Sequence, residues 1–279
     1  MYELIRAYDN GNRAITDSGS KVVPEIYFNL IKLAPGQTFT LTTPNTELVA
    51  VVMSATCTIT VGGEVFSNVG VRADVWSGKA DSVYLGTGRE ATFTAGDASV
   101  EIALAGAPTT ADHAPFRIRP EDVQPVVVGS SDTKSRREIC HILGQNATNR
   151  VERLLVSELY AEEGCWSGYP PHKHDETRDG ETNHAELYHY RYAPVTGFGV
   201  QVYYQEGQPP RAEMIQNGDT FLIPEGYHPT AASPGHSAYV FTILVGRDQR
   251  GLVQHFDTRH EHLVERIPGI GAMRAAFKT

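Results

Sequence analysis

The sequence predicts an all-β protein built from two β-barrels in tandem. Three observations carry this expectation. Apolar residues recur with a period of two rather than 3.6, turns bearing Gly or Pro interrupt them at short intervals, and a polar connector separates two halves of the same coarse order.

The first half contributes VPEIYFNLIKL, ELVAVVMSATCTITV, EATFTAG and SVEIALAG, which alternate or are rich in β-branched and aromatic residues. PGQ at 35–37, GG at 62–63, GTG at 86–88 and AGD at 95–97 supply the turns. The connector PTTADHAPFRIRPEDVQP follows. The same style then returns in RLLVSELYAEEG, AELYHYRYA, GFGVQVYYQEG, DTFLIPEG and SAYVFTILVG. Short strands at close spacing indicate a sandwich or barrel. The only helix candidates lie around 119–123 and at the extreme C-terminus. The expected division is 1–118 for the N-terminal barrel and 119–279 for the C-terminal one.

Composition narrows the function. A formal net charge of −9 with no basic stripe argues against nucleic acid as a partner. The three cysteines are scattered, with no CxxC pair, as expected of reduced intracellular thiols. MYELIRAYDN has neither the charge nor the apolar run of a signal peptide, and no stretch approaches the length of a spanning helix. A cytoplasmic protein without a membrane partner is expected. All eleven histidines lie at or after His113. If the halves share a fold, only the second keeps nitrogen ligands for a metal, and the His-free first half is scaffold, a degenerate site or a surface for a homodimer.

The chemistry concentrates in GCWSGYPPHKHDETRDGETNHAELYHYRYAP and GDTFLIPEGYHP. His172 and His174 sit two apart, so on an extended strand both imidazoles project from one face. Glu186 opens the next strand-like run, and His228 follows the PEG turn. A lone HxH pair is more often incidental than a ligand pair. The added Glu186 and the PEGYH turn make a metal centre the better reading. Three His and one Glu suit one divalent ion among Zn, Mn, Fe, Co and Ni, and leave coordination positions open. His184 and His189 read as solvent-facing, His255, His260 and His262 as a surface cluster, and Asp175, Glu176, Asp179 and Glu181 as a solvated acidic loop. Tyr188, Tyr190, Gln201, Tyr203 and Tyr227 share faces with these ligands or abut them. They are candidates for hydrogen-bonding a bound ligand, with barrel core as the alternative.

HxH, then Glu, then GDxxxxPxGxH resembles the two metal-binding motifs of the cupin superfamily. The long gap from His174 to Glu186 and the single residue between Gly226 and His228 match a narrower family. WSGYPPHKHD, ELYHYRY, GFGVQVYY and PEGYHP resemble the 5-deoxy-glucuronate isomerases of myo-inositol catabolism. The similarity runs from about 117 to 245 and includes RPEDVQPVVVG and Arg137 within SRREICHIL. That resemblance implies a bicupin, two jelly-roll-like cupin β-barrels in tandem, with the metal in the C-terminal barrel.

It also implies a small sugar-acid substrate and an aldose–ketose conversion of 5-deoxy-glucuronate to 5-dehydro-2-deoxy-gluconate. A divalent ion would polarise the carbonyl and neighbouring hydroxyl, and Arg137 is the first choice for the substrate carboxylate. The general base stays open between a tyrosine and a metal-bound hydroxide. Two alternatives stand beside this reading. One is the related bicupin isomerase acting on 4-deoxy-5-keto-uronate in pectin breakdown, whose metal strand carries arginines soon after HxH. The other is a non-catalytic sugar-binding cupin.

Overall fold

A computed structural model of the chain describes residues 2–277. It divides into two compact units, one of residues 9–124 with 146–154, the other of residues up to Tyr8, 125–145 and Leu155 onward.

In the first unit, a six-stranded sheet runs in the order Phe116–Ile118, Ser82–Thr87, Thr46–Ser54, Val100–Pro108, Tyr27–Leu33 and Ala14–Thr16. A four-stranded sheet has the order Thr38–Thr42, Glu90–Ala95, Cys57–Val61 and Glu64–Val69. Thr38–Thr42 and Glu90–Ala95 alternate because one face meets water: the Thr40 and Thr92 hydroxyls pair across it at 2.9 Å. Ile31, Val52, Ile59, Phe93 and Ile102 fill the buried side.

In the second unit, a seven-stranded sheet has the order Glu3–Ile5, Thr220–Ile223, His184–Ala193, Ser237–Gly246, Leu154–Ala161, Arg137–Leu143 and Pro125–Val128. Trp166–Ser167, Thr230–Ala232, Phe198–Tyr203 and Arg211–Gln216 form a four-stranded sheet, and His172–Lys173 pairs with His255–Phe256. The two central long strands, His184–Ala193 and Ser237–Gly246, are buried along almost their whole length; the second reads as a nearly continuous apolar run, and the first interleaves aromatic with polar side chains. Both helix candidates are present, as a 3₁₀ turn at Pro120–Asp122 and an α-helix at Ile270–Ala276.

Each unit draws on segments distant in sequence. Glu3–Ile5 pairs antiparallel with Thr220–Ile223, placing Leu4 opposite Phe221, because Tyr2 and Leu4 cover the aromatic core of the second unit. Residues 146–154 belong to the first unit, where the buried Glu47 carboxylate accepts the backbone N–H groups of Glu152, Arg153 and Leu154 at 3.0, 2.7 and 3.1 Å. An isolated Glu in an apolar strand is thereby satisfied by a distant stretch of backbone.

Candidate metal centre

Local sequence sets the ligand directions. The short strand His172–Lys173 turns the rings of His172 and His174 to one face and Lys173 to the other. Glu186 sits on the central strand, between Ile223 and Leu244 of its neighbours. His228 follows a turn in which Gly226 has φ of +83°, and a Cβ there would meet Tyr203, the Tyr204 carbonyl and Gln205 at 3.0 Å.

The structure brings His172, His174, Glu186 and His228 together, all buried. The ligating nitrogens of the three histidines lie within 4.8 Å of one another. Glu186 Oε2 is 3.0 Å from both His174 Nε2 and His228 Nε2. Each imidazole also has a backbone carbonyl at its other nitrogen. The Nδ1–H groups of His172, His174 and His228 donate to Pro170, His184 and Gly226 at 3.2, 3.3 and 2.7 Å. A carbonyl can only accept, so every ring carries a proton on Nδ1; the Nε2 lone pairs of His174 and His228 face the carboxylate, and that of His172 faces the Gln254 amide. Lone pairs facing a carboxylate repel unless a positive charge lies between them. His228 Nε2 in particular is buried with no hydrogen-bond partner. This donor set fits a divalent cation.

The electrostatics agree. Burial would raise Glu186, but His174 and His228 outweigh it and hold the carboxyl well below the usual range. His172 is pushed down to about 3, first by burial and then by the two other rings, which keeps it neutral. Burial opposes charge on His174 as well, and the facing Glu186 overcomes it, so His174 is raised.

Beside the ligands is a small cavity of about 40 Å³, walled by Leu252, Gln254, Met273 and Phe277 on one side. Arg137 and Tyr188 line it. Arg137 is buried and donates only to the carbonyls of Ser135 and Tyr169, both at 2.8 Å. Burial pushes it down to about 10, and no carboxylate among the described residues pairs with it. The other four expected contacts lie elsewhere. Tyr190 donates to Gln201 Oε1 at 2.5 Å, and Gln201 Nε2 donates to the His228 carbonyl at 2.7 Å, so this buried pair supports a ligand's backbone. Tyr203 packs in the aromatic core. Tyr227 stacks on Tyr204 at 4.9 Å and lines a second cavity of about 620 Å³ with Trp166, Tyr169 and Arg259.

Several expectations are corrected. His184 and His189 are buried, not solvent-facing: His184 Nε2 lies 3.1 Å from the Arg250 carbonyl, and His189 Nδ1 lies 3.0 Å from Thr220 Oγ1. The acidic loop is not simply solvated. Lys173 folds back into it and reaches Asp175, Glu176 and Glu181 at 2.5, 2.9 and 2.8 Å, with Glu181 fully enclosed. Sequence reasoning also missed Ser157, Thr242 and Gln254 in the cavity wall. Strand parity could have flagged the first two. Gln254, whose amide lies 3.1 Å from His172 Nε2, comes from an irregular segment without any periodic signal.

Comparison with known proteins gives the same direction. The model of the KduI/IolB family matches residues 4–263. The 5-deoxy-glucuronate isomerase of Shouchella clausii is 33% identical over 241 residues, covering 85% of this chain and 88% of that protein. That of Geobacillus kaustophilus is 30% identical over 254 residues, with 88% and 90% covered. Among solved structures, an IolB-like protein from Salmonella typhimurium superposes with a TM-score of 0.80 at 27% identity, covering 86% and 90% of the two chains. Oxalate decarboxylase of Bacillus subtilis, at 12% identity and a TM-score of 0.57, shares the fold. The fold is that of a bicupin.

Proposed function

Because this chain belongs to the KduI/IolB family, we propose that it isomerises 5-deoxy-glucuronate, an aldehyde sugar acid, to the ketose 5-dehydro-2-deoxy-gluconate, as the names of its relatives suggest. One observation carries the reading. A cavity lined by His172, His174 and Glu186 also holds Arg137, a buried cation with no carboxylate partner among the described residues.

In this reading His172, His174, Glu186 and His228 hold one divalent ion from the series Zn, Mn, Fe, Co and Ni. Bound there, such an ion would supply Lewis acidity to a carbonyl and its neighbouring hydroxyl. Arg137 binds the substrate carboxylate, a charge-assisted contact strengthened by burial. The Tyr188 phenol stays protonated, since burial and the nearby Glu186 carboxylate raise it well above its ordinary value, and it donates a hydrogen bond to a sugar oxygen. Ser157 and Thr242 offer further hydroxyls on the same wall. Leu252, Met273 and Phe277 exclude water.

Both clusters of potential ligands among the described residues lie in the second unit. We accordingly assign the metal to that barrel and give the first barrel no metal. The test is elemental analysis of purified protein together with turnover of 5-deoxy-glucuronate. One divalent ion per chain and ketose formation support the reading; metal without isomerisation would favour a sugar-binding cupin.

A further inference from the structure

We propose that Asp175 is a positioning residue for the metal centre, tying the turn that carries His228 to the strand that carries His172 and His174. Asp175 directly follows His174. One of its carboxylate oxygens accepts the Gly226 N–H at 2.6 Å. Its other oxygen is held by Lys173 Nζ at 2.5 Å. Gly226 in turn offers its carbonyl to His228 Nδ1–H at 2.7 Å. The same glycine thus gives its donor to Asp175 and its acceptor to the ligand ring.

The anchor is itself fixed. The Asp175 N–H donates to Glu181 Oε1 at 3.0 Å, and Lys173 is shared with Glu181 at 2.8 Å. Glu181 is buried, so the anchor does not depend on a solvated side chain. At the other end, the His228 Nε2 atom has no hydrogen-bond partner. The ring's own hydrogen bond is therefore the one to Gly226, and fixing Gly226 fixes the direction of the lone pair. Supporting bonds of this kind set ligand orientation and hence metal affinity.

Glu176 provides the contrast. It also pairs with Lys173, at 2.9 Å, but it is exposed and touches neither Gly226 nor a ligand ring. If Asp175 served only to neutralise Lys173, the two carboxylates would be equivalent.

This inference rests on the proposed metal site, so the test begins with wild-type protein. Stripped of metal, it is titrated with Co(II), reading the dissociation constant and the visible spectrum, alongside thermal unfolding of each metal-free protein. Wild type should bind near one Co(II) per chain. Asp175→Ala should weaken binding ~10–100-fold and alter the Co(II) spectrum. Asp175→Leu, similar in branching but unable to accept, serves if the alanine protein does not fold, and should show the same loss. Asp175→Asn keeps an acceptor for Gly226 and should recover most of the affinity. Glu176→Ala should bind as wild type does. Wild-type affinity in Asp175→Ala or Asp175→Leu, or an equal loss in Glu176→Ala, would overturn the positioning role while leaving the metal site standing. Failure of wild type to bind Co(II) would overturn the site and this inference together.

Discussion

His174 Nε2 and Glu186 Oε2 meet 3.0 Å apart in a buried site, and each presents a lone pair to the other. The His184 carbonyl takes the other ring proton, which leaves His174 no neutral way to donate toward Glu186. A positive charge must therefore sit between them: a proton in the metal-free protein, a divalent ion in the loaded one.

Removing either end of that contact should abolish stoichiometric metal. His174→Ala and Glu186→Gln are expected to lower affinity by more than the ~10–100-fold brought by loss of a supporting hydrogen bond. Elemental analysis after dialysis reads the outcome, and full metal content in either variant would remove that residue from the ligand set.

Arg137 should act on substrate binding rather than on the metal. Arg137→Met loses a buried partner for the carboxylate, a change worth roughly 3 kcal/mol, or about 100-fold in kcat/KM. Metal content should stay at the wild-type level. Steady-state kinetics with elemental analysis separates this from general disruption of the site.

Tyr188 and Tyr190, two residues apart on one strand, should behave differently. Tyr190→Phe leaves Gln201 Oε1 without its donor and should cost about 1–3 kcal/mol of stability with KM nearly unchanged. Tyr188→Phe should leave the melting temperature near wild type and lower kcat roughly 100-fold, as loss of one donor to a developing charge does. Chemical denaturation and kinetics on both variants check the split.

His141 gives a pH dependence of stability. Burial pushes it down to about 4 from 6.5, with Ser157 Oγ 2.8 Å from its Nδ1. The folded state keeps the ring neutral while the unfolded chain protonates it. The associated stability is complete above about pH 6.5 and falls as the pH drops toward 4. The loss amounts to ~3 kcal/mol. Denaturation of metal-free wild type and His141→Gln at several pH values should show a decline shallower by that amount in His141→Gln. Parallel curves would contradict it.

Those residues also show what a sequence carries. The grouping of His172, His174 and His228 was legible because spacing of two on a strand, and a glycine turn before His228, are local geometry. Parity correctly grouped Tyr188 with Tyr190, but it fixes only the face. Two more residues along a strand carry a side chain about 7 Å farther along it, enough to move Tyr190 from cavity wall to support. Burial of His184 and His189 depends on partners 66 and 31 residues away, and the pairing of Glu3–Ile5 with Thr220–Ile223 on still more distant contacts. Lys173 is buried with three carboxylates that the loop folds around it. Local patterns located the chemistry, and long-range packing decided which neighbours face it.

The most direct test of the account is isomerisation of 5-deoxy-glucuronate followed by NMR, using metal-replete protein, chelated protein and chelated protein resupplied with a divalent ion. The expected result is conversion to the ketose that disappears on chelation and returns with the ion. Stoichiometric metal with no conversion, or conversion that survives complete removal of metal, would contradict it.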